Sequence, residues 1–205
     1  MAGRRPPEPF EGSWLRTLLR TLLVLTLGLA VANFGFTTVG VDGASMAPTL
    51  QDGDRAWVPR FETWWVRLGP RTWSPGDVVY FRPPGASPRT WIERLVGGPF
   101  LIKRVVAIAG QTVELRRGRL WVDGVAVAEP YLAGGPMGVT SLAPTVVPSD
   151  HLFVLGDNRS PLASRDSRAF GPVPLDHVAG RASWVVWPPW RSDADGQWRW
   201  NVHRL

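Results

Sequence analysis

Apolar residues follow two different patterns along the chain. No residue between positions 21 and 41 is charged, and a helix of this length, at about 1.5 Å per residue, would cross about 30 Å of hydrocarbon. Beyond position 42 the apolar residues form short runs separated by Gly, Pro and Asp, which is typical of strands and turns. The pattern predicts a membrane-spanning helix followed by a β-rich domain.

Seven short runs predict strands, at 55–59, 77–81, 101–107, 113–116, 119–122, 151–155 and 182–187. Arg117-Gly118 and Asp123-Gly124 interrupt alternating residues and can supply the positive φ angles of tight turns, so they predict consecutive hairpins. Stretches rich in Pro and Gly predict surface loops at 61–75, 83–99 and 130–148. The expected fold class is mainly β, with antiparallel sheets and an N-terminal transmembrane helix.

Charges on the two sides of the apolar segment predict its orientation. It is preceded by Arg4, Arg5, Arg16 and Arg20, and followed by Asp42, Asp52 and Asp54. Because positive charge favours the cytoplasmic side, we expect a cytoplasmic tail at 1–20, an anchor at 21–41 and an extracytoplasmic domain at 42–205. Ala30-Val31-Ala32 leaves open a cleavable signal peptide with an A-x-A site, although the apolar run continues past it.

Composition limits the kinds of catalytic and binding site that the chain can contain. The chain has no cysteine, 22 arginines and a single lysine, Lys103, within a net charge of +6. The absence of cysteine excludes thiol catalysis, and arginines spread among acidic residues do not predict nucleic-acid binding. His151, His177 and His203 are too far apart in sequence for a helical metal pair, so we expect neither a metal nor a cofactor.

Two residues are candidates for covalent catalysis. Ser45 lies in a turn of small residues, Gly43-Ala44-Ser45, where a substrate backbone has room to approach, although most serines in such turns are structural. Lys103 lies in the apolar run 101–107, where the noncatalytic alternative is a side chain that faces solvent. A lysine acts as a base only when desolvated, because at its ordinary pKa only about one part in a thousand is neutral at pH 7.4.

Four segments together resemble the ordered boxes of bacterial type I signal peptidases. They are SMAPTL at 45–50, PGDVVYF at 75–81, IKRVV at 102–106, and GDNR at 156–159 with SRDSR at 164–168. The resemblance covers nearly all of residues 1–190 and includes the N-terminal anchor. It implies that Ser45 attacks the scissile carbonyl while Lys103 takes its proton and later activates the deacylating water.

The resemblance also implies roles for other residues. Ser164 would orient the Lys103 amine, with Ser160 as the alternative, and the backbone N–H of Ser45 would stabilise the oxyanion. Some members carry a serine at the position of Gly43, so a second oxyanion donor is unassigned here. Support of the loops is expected from Asp157, Asp166 and Arg168. Small apolar pockets that prefer Ala-x-Ala sites are expected to be lined by Val39, Val41 and Ile102.

The implied function is removal of signal peptides from exported preproteins by a single-pass protein of the cytoplasmic membrane, with the catalytic domain on the outer face. Its partners would be signal peptides, membrane lipid and the secretion machinery. Two alternatives stay open at this point: a self-cleaving Ser/Lys relative, and a noncatalytic membrane-tethered β module. For most of the 12 tryptophans we expect core packing, and for the segment 184–190 a membrane-facing surface is a further hypothesis.

Overall fold

The computed structural model describes residues 13–59, 61–62, 69, 72–86, 100–132, 141–160, 162–193 and 195–205. The chain divides into two compact units, Met1–Phe36 and Thr37–Leu205. The first contains helix α1, Ser13–Phe34. The second contains fifteen strands in the described ranges, a short helix α2 at Ser167–Phe170 and a 3-10 turn at Leu175–His177.

The strands in chain order are β1 Phe36–Gly40, β2 Arg55–Pro59, β3 Val78–Phe81, β4 Leu101–Ile108, β5 Thr112–Arg116, β6 Arg119–Val122, β7 Val125–Ala126, β8 Leu142–Val146, β9 His151–Leu155, β10 Val173–Pro174, β11 Val178–Ala182, β12 Trp184–Trp187, β13 Trp190–Ser192, β14 Trp198–Trp200 and β15 His203–Arg204. The mainly β prediction is confirmed. All seven predicted runs contain strand residues, although the run 182–187 begins on the last residue of β11.

The strands form four sheets, with the orders β1-β2-β12-β15, β10-β9-β4-β3-β11, β7-β6-β5-β8 and β13-β14. The pairs recorded in register are antiparallel, for example β3 with β4 and β4 with β9. Strand β4 is therefore central in the five-stranded sheet, and its residues 102–107 are all buried. A strand covered on both faces is mostly apolar, which explains the apolar residues on either side of Lys103 and Arg104.

Helix α1 and strand β1 change the expected extent of the N-terminal anchor. The prediction of a helix over 21–41 is wrong at its C-terminal end, because α1 ends at Phe34 and residues 36–40 form a strand. Thr37, Thr38 and Val39 are β-branched, and this strand gains backbone partners in β2. Within the described ranges, no helix combines the length and the apolar character that crossing a membrane requires.

Three predicted loops have different outcomes. The loop over 130–148 is wrong in part, because Leu142–Val146 forms β8 and pairs with β5. Outside the described ranges lie residues 133–140 of this loop and residues 63–68, 70–71 and 87–99 of the other two. The two hairpin turns are confirmed, since Arg117, Gly118, Asp123 and Gly124 all have positive φ, between 51° and 80°.

Three apolar clusters make up the core of the second unit. One lies around the segment that follows β1 and includes Val41, Met46, Leu50, Val58 and Ile102. The others lie on the two sides of β4, one with Val105 and one with Val106. Core packing is observed for Trp73 but is wrong for Trp198 and Trp200, which are exposed, and the segment 184–190 exposes Trp184, Trp187 and Trp190. Trp64, Trp65 and Trp91 lie outside the described residues.

Candidate active site

Ser45 lies in a closed loop between β1 and β2. At the base of the loop, Val41 N–H donates to Asp54 O at 2.8 Å and Gly53 N–H donates to Val41 O at 2.9 Å. Met46 and Leu50 are 1% and 0% exposed, respectively, so the residues after Ser45 are packed into the core. Ser45 itself is half-buried. A loop closed at its base and packed on one side holds its serine in a defined place.

Lys103 projects from β4 to the same place. Its Nζ lies 2.7 Å from Ser45 Oγ and donates to the Ile102 carbonyl, also at 2.7 Å. The residue is 2% exposed, so the sequence-based expectation of burial is confirmed over the outward-facing interpretation. In the neutral amine, the same short contact has the Ser45 hydroxyl donating to Nζ.

Burial lowers the pKa of Lys103 from 10.5 to about 8, mainly by desolvation. The carboxylates of Asp166 and Asp157 act in the opposite direction, and the Arg168 guanidinium adds to the lowering. At this pKa about one fifth of the amine is neutral at pH 7.4. That is a population large enough for a general base near neutral pH.

The segment 156–159 grips the Ser45 loop from the other side. Asn158 donates twice, from its backbone N–H to Ser45 O and from Nδ2 to Ala44 O, both at 3.1 Å. Gly156 passes so close that a Cβ there would lie 2.3 Å from Ser164 Oγ and 2.5 Å from the Ser45 carbonyl oxygen. Only glycine fits between these two groups, and Asn158 fixes the carbonyl side of the nucleophile.

Ser164, Asp166 and Arg168 form a connected group beside Gly156. Ser164 Oγ donates to Asp166 Oδ2 at 2.8 Å, and the Gly156 N–H donates to the same oxygen at 3.0 Å. Arg168 pairs with both Asp166 oxygens at 2.8 Å, and these bonds and the Gly156 bond lower the pKa of Asp166 against the opposing effect of burial. The hydrogen bond recorded for Ser164 thus goes to Asp166, and its expected bond to Lys103 stays a prediction.

Asp157 belongs to a second buried group. It accepts from Arg104 Nε at 2.9 Å and from the second guanidinium nitrogen at 2.6 Å. Arg104 also donates to Gly76 O and to Thr49 Oγ1, at 2.8 and 3.3 Å, and lies over the Tyr131 ring. A bidentate pair of this kind connects β4, the 156–159 segment and the Ser45 loop, so the contacts of Asp157 match the structural role expected for it.

The backbone N–H groups of Ser45 and Gly43 are the two candidate donors to the oxyanion. Within the described ranges, no residue accepts a hydrogen bond from the Ser45 N–H. The Gly43 N–H, by contrast, donates to Asp52 Oδ1 at 2.7 Å. Gly43 therefore supplies neither a side chain nor a free backbone donor, and the Ser45 N–H is the one suited to a developing negative charge.

The three predicted pocket residues lie together beside this loop. Val41 and Ile102 are buried in the same apolar cluster, and half-buried Val39 packs against it. Each of the three histidine rings lies within hydrogen-bond distance of a backbone carbonyl oxygen, of Ser149, Arg82 or Asn201. No group of His and carboxylate residues in the described part of the chain is suited to hold a metal.

Asn158, Gly156 and Arg104 have site contacts that the sequence reasoning did not assign. All three lie inside the segments 102–106 and 156–159 that carry the family resemblance. Membership of these segments was the sequence signal that associated them with Ser45 and Lys103. Which carbonyl Asn158 would bind, however, depends on contacts between residues 114 positions apart. A turn-forming Gly-Asp-Asn sequence carries no signal for that contact.

Comparison with known proteins agrees with these features. The family model described as signal peptidase, peptidase S26, matches residues 14–187. A probable signal peptidase I-2 of Synechocystis is 30% identical, covering 90% of this chain and 78% of its own length. Signal peptidase I of Bacillus amyloliquefaciens is 31% identical and covers 82% of each chain.

A solved structure adds a more limited similarity. The crystal structure of a signal peptidase I from Enterococcus faecalis is 30% identical and covers 54% of this chain and 97% of its own, with a TM-score of 0.40. A TM-score at that level does not establish a shared fold. The family match, which spans most of the chain, together with the curated relatives at 30% identity or more, shows that this chain belongs to the peptidase S26 family of signal peptidases.

Proposed function

We propose that Ser45 and Lys103 form the catalytic dyad of a serine endopeptidase that removes signal peptides from exported preproteins. The observation that carries the proposal is the 2.7 Å contact between Lys103 Nζ and Ser45 Oγ, made by an amine that is almost completely buried. Within the described structure, no carboxylate contacts the Lys103 amine directly to keep it protonated. Desolvation therefore makes Lys103 the base that a serine nucleophile needs.

The reaction proceeds in two stages. Neutral Lys103 accepts the proton of the Ser45 hydroxyl while Oγ attacks the scissile carbonyl carbon, and the Ser45 N–H stabilises the oxyanion. The resulting ammonium gives its proton to the leaving amine as the peptide bond breaks, which leaves an ester between Ser45 and the signal peptide. Lys103 then takes a proton from water as the water oxygen attacks the ester carbon, and the ammonium returns that proton to Ser45 Oγ as the ester bond breaks, which releases the signal peptide and restores the free dyad.

The surrounding groups supply orientation. The bond from Nζ to the Ile102 carbonyl limits the rotation of the amine. Ser164 Oγ uses its proton toward Asp166, so its lone pairs remain able to accept from the Lys103 ammonium, which is the orienting role proposed for it. Asp166 and Arg168 hold this serine in turn. A third group that orients the base is a general requirement of such sites.

Substrate preference is proposed to come from Val39, Val41 and Ile102. Their membership of one apolar cluster beside Ser45 supports shallow pockets that take small side chains. Alanine at the cleaved residue and two residues before it would fit such pockets, because alternate residues of an extended peptide point to the same side. This favours Ala-x-Ala sites.

The proposed location is the membrane. Every described residue of α1 from Trp14 to Leu29 is exposed, including four consecutive apolar residues, Leu22–Leu25, that point around the whole helix. An exposed apolar segment of this kind favours a nonaqueous covering. We assign α1 to membrane attachment of the peptidase, with the N-terminal side in the cytoplasm and the catalytic unit on the outer face, as the charge distribution predicts.

Exposed tryptophans in the second unit support contact with lipid. Trp187, Trp190 and Trp200 are between 53% and 58% exposed, and Trp198 is 73% exposed. Indole rings favour the boundary between water and hydrocarbon. We propose that this C-terminal aromatic surface rests on the membrane from which the preprotein is cleaved.

The decisive experiment uses the full chain in detergent and a purified preprotein whose signal ends in Ala-x-Ala. Wild type should release the mature protein, and Ser45→Ala and Lys103→Arg should both abolish release, because arginine stays protonated at any workable pH. Mass spectrometry of the product locates the cleaved bond. Normal cleavage by Lys103→Arg would exclude the lysine base, and no cleavage by wild type would favour the noncatalytic module.

Location is tested separately by protease protection in membrane vesicles of known orientation. The second unit should be digested only from the outer face, and a tag at the N-terminus only from the cytoplasmic face. Digestion of both from one side would contradict the proposed topology without bearing on the dyad.

A further inference from the structure

The C-terminal hairpin of β13 and β14 lies beyond residues 14–187, which the family model matches. Arg191 pairs with Arg199 across the hairpin, between the Trp190–Trp200 and Ser192–Trp198 pairs. Side chains alternate between the faces of a strand. The exposed Trp190 and Trp200 rings meet edge to face on one side of the hairpin, so Arg191 projects from the other.

Arg191 reaches the segment that closes the Ser45 loop. It donates to the Asp54 carboxylate at 2.5 Å, to the Gln51 side-chain oxygen at 3.0 Å and to the Asp52 carbonyl at 3.3 Å. The Asp54 side chain is only 2% exposed. Asn201, just after the hairpin, donates to the same Asp54 oxygen at 3.1 Å. A guanidinium fork is suited to hold several acceptors at once.

The residues that Arg191 holds in turn hold the start of the Ser45 loop. Asp54 accepts the Val41 N–H through its carbonyl at 2.8 Å and the Gln51 N–H through its carboxylate, also at 2.8 Å. Asp52 accepts the Gly43 N–H at 2.7 Å. The hydrogen bonds from the hairpin therefore reach Gly43, and the backbone covers the remaining two residues to Ser45.

We propose that Arg191 is a positioning residue for Ser45, supplied by a hairpin outside the matched family region. Its charge-assisted bonds keep the base of the loop closed, so that Oγ stays within reach of Lys103 and the Ser45 N–H stays aimed at the scissile carbonyl. Arg191 is not among the groups that shift the pKa of Lys103. Its hydrogen bonds reach the Ser45 loop, so the expected effect is on the position of the nucleophile. The inference rests on the proposed dyad.

The test compares Arg191→Ala and Arg191→Lys with Arg199→Ala in the full chain. Arg199 is the matched control, because it faces Arg191 across the hairpin and bonds to Asp193 in the hairpin's own turn, at 2.6 Å. A misplacement of about 1 Å can lower a rate about 100-fold, so we expect Arg191→Ala to lower kcat at least about 10-fold with KM changed less than about 2-fold.

The pH profile separates positioning of the nucleophile from an effect on the base. The acid limb of kcat/KM should keep its midpoint in Arg191→Ala, and Arg191→Lys should recover part of kcat because it keeps the charge beside Asp54. Circular dichroism and thermal unfolding establish that each variant is folded at the assay temperature. If Arg191→Ala is unfolded there, Arg191→Lys decides, with the same fall in kcat expected to a smaller extent.

Three results would overturn the inference. The first is a wild-type kcat in folded Arg191→Ala, or in Arg191→Lys if the alanine variant is unfolded. The second is an equal loss of kcat in Arg199→Ala, and the third is a shift in the midpoint of the acid limb of kcat/KM in Arg191→Ala. An equal loss would mean that the hairpin matters only as a whole. If wild type itself fails to cleave, the proposed dyad fails first, whereas an active wild type with an indifferent Arg191 leaves the dyad standing.

Discussion

Replacing Lys103 with methionine separates the cost of burying the amine from its part in catalysis. Methionine has a similar length and no charge, so it fills the same space along β4. The variant should be inactive. The free energy of unfolding of the variant, relative to that of wild type, should also be higher at pH 7 than at pH 10. Only the wild-type protein must bury an amine that water would protonate.

The size of this effect follows from the pKa. The folded-state pKa of Lys103 is about 8 against 10.5 when exposed, and each unit corresponds to about 1.4 kcal/mol. Between these values the unfolded chain binds more protons than the folded one, so wild-type stability rises with pH. The stability difference between the methionine variant and wild type should therefore fall by about 2 to 3 kcal/mol from pH 7 to pH 10.

The assay is urea unfolding of both proteins at pH 7, 8, 9 and 10, followed by tryptophan fluorescence. Burial also raises the pKa of Tyr80 and Tyr131, but both tyrosines titrate in both proteins and cancel in the difference. An independent measurement of the same pKa is the acid limb of wild-type kcat/KM, which should rise with pH to a midpoint near 8. Parallel stability curves for the two proteins would refute the desolvated lysine, and so would an acid limb below pH 6 (about 2 units away).

The remaining predictions concern the groups beside the dyad. Gly156→Ala should lower kcat about 100-fold or more, because the new methyl group meets the Ser45 carbonyl and the Ser164 hydroxyl; steady-state kinetics on the folded variant checks this, and near-normal kcat would contradict it. In the wild-type protein the Asp166 carboxylate raises the pKa of Lys103. Its removal in Asp166→Asn should therefore lower that pKa and move the acid limb of kcat/KM to lower pH. Ser164→Ala keeps that carboxylate and should lower kcat while leaving the midpoint in place, and a midpoint shift as large as that of Asp166→Asn would argue against the separate roles.

Much of the β architecture could be predicted from local patterns. The run 101–107 is apolar on both alternation phases, and it forms the central strand β4, in which Lys103 is buried. Arg117-Gly118 and Asp123-Gly124 have turn chemistry that depends only on neighbouring residues, and both turns form as expected. The order of the matching segments also indicated the family to which the chain belongs.

Local pattern was a poor guide where a strand depends on its partner. β8 has an exposed, Pro-containing sequence that resembles a loop, and it becomes a strand by pairing with β5. β1 continues the uncharged stretch that predicted a helix, but its backbone pairs with β2 instead. In both cases hydrogen bonds to a distant strand outweigh a weak local preference.

The sequence by itself determined which residues carry chemistry: one lysine in an apolar strand, one serine in a small-residue turn and a segment of paired charges. Only the tertiary structure decided how they are held. Ser45 and Lys103 are 58 residues apart, and Arg191 meets Asp54 across 137. Backbone propensity acts over a few residues, whereas a site is made by side chains that packing brings together from distant strands. That packing decides that Lys103 loses its water, that Asp52 occupies the Gly43 N–H, and that a C-terminal arginine supports the nucleophile.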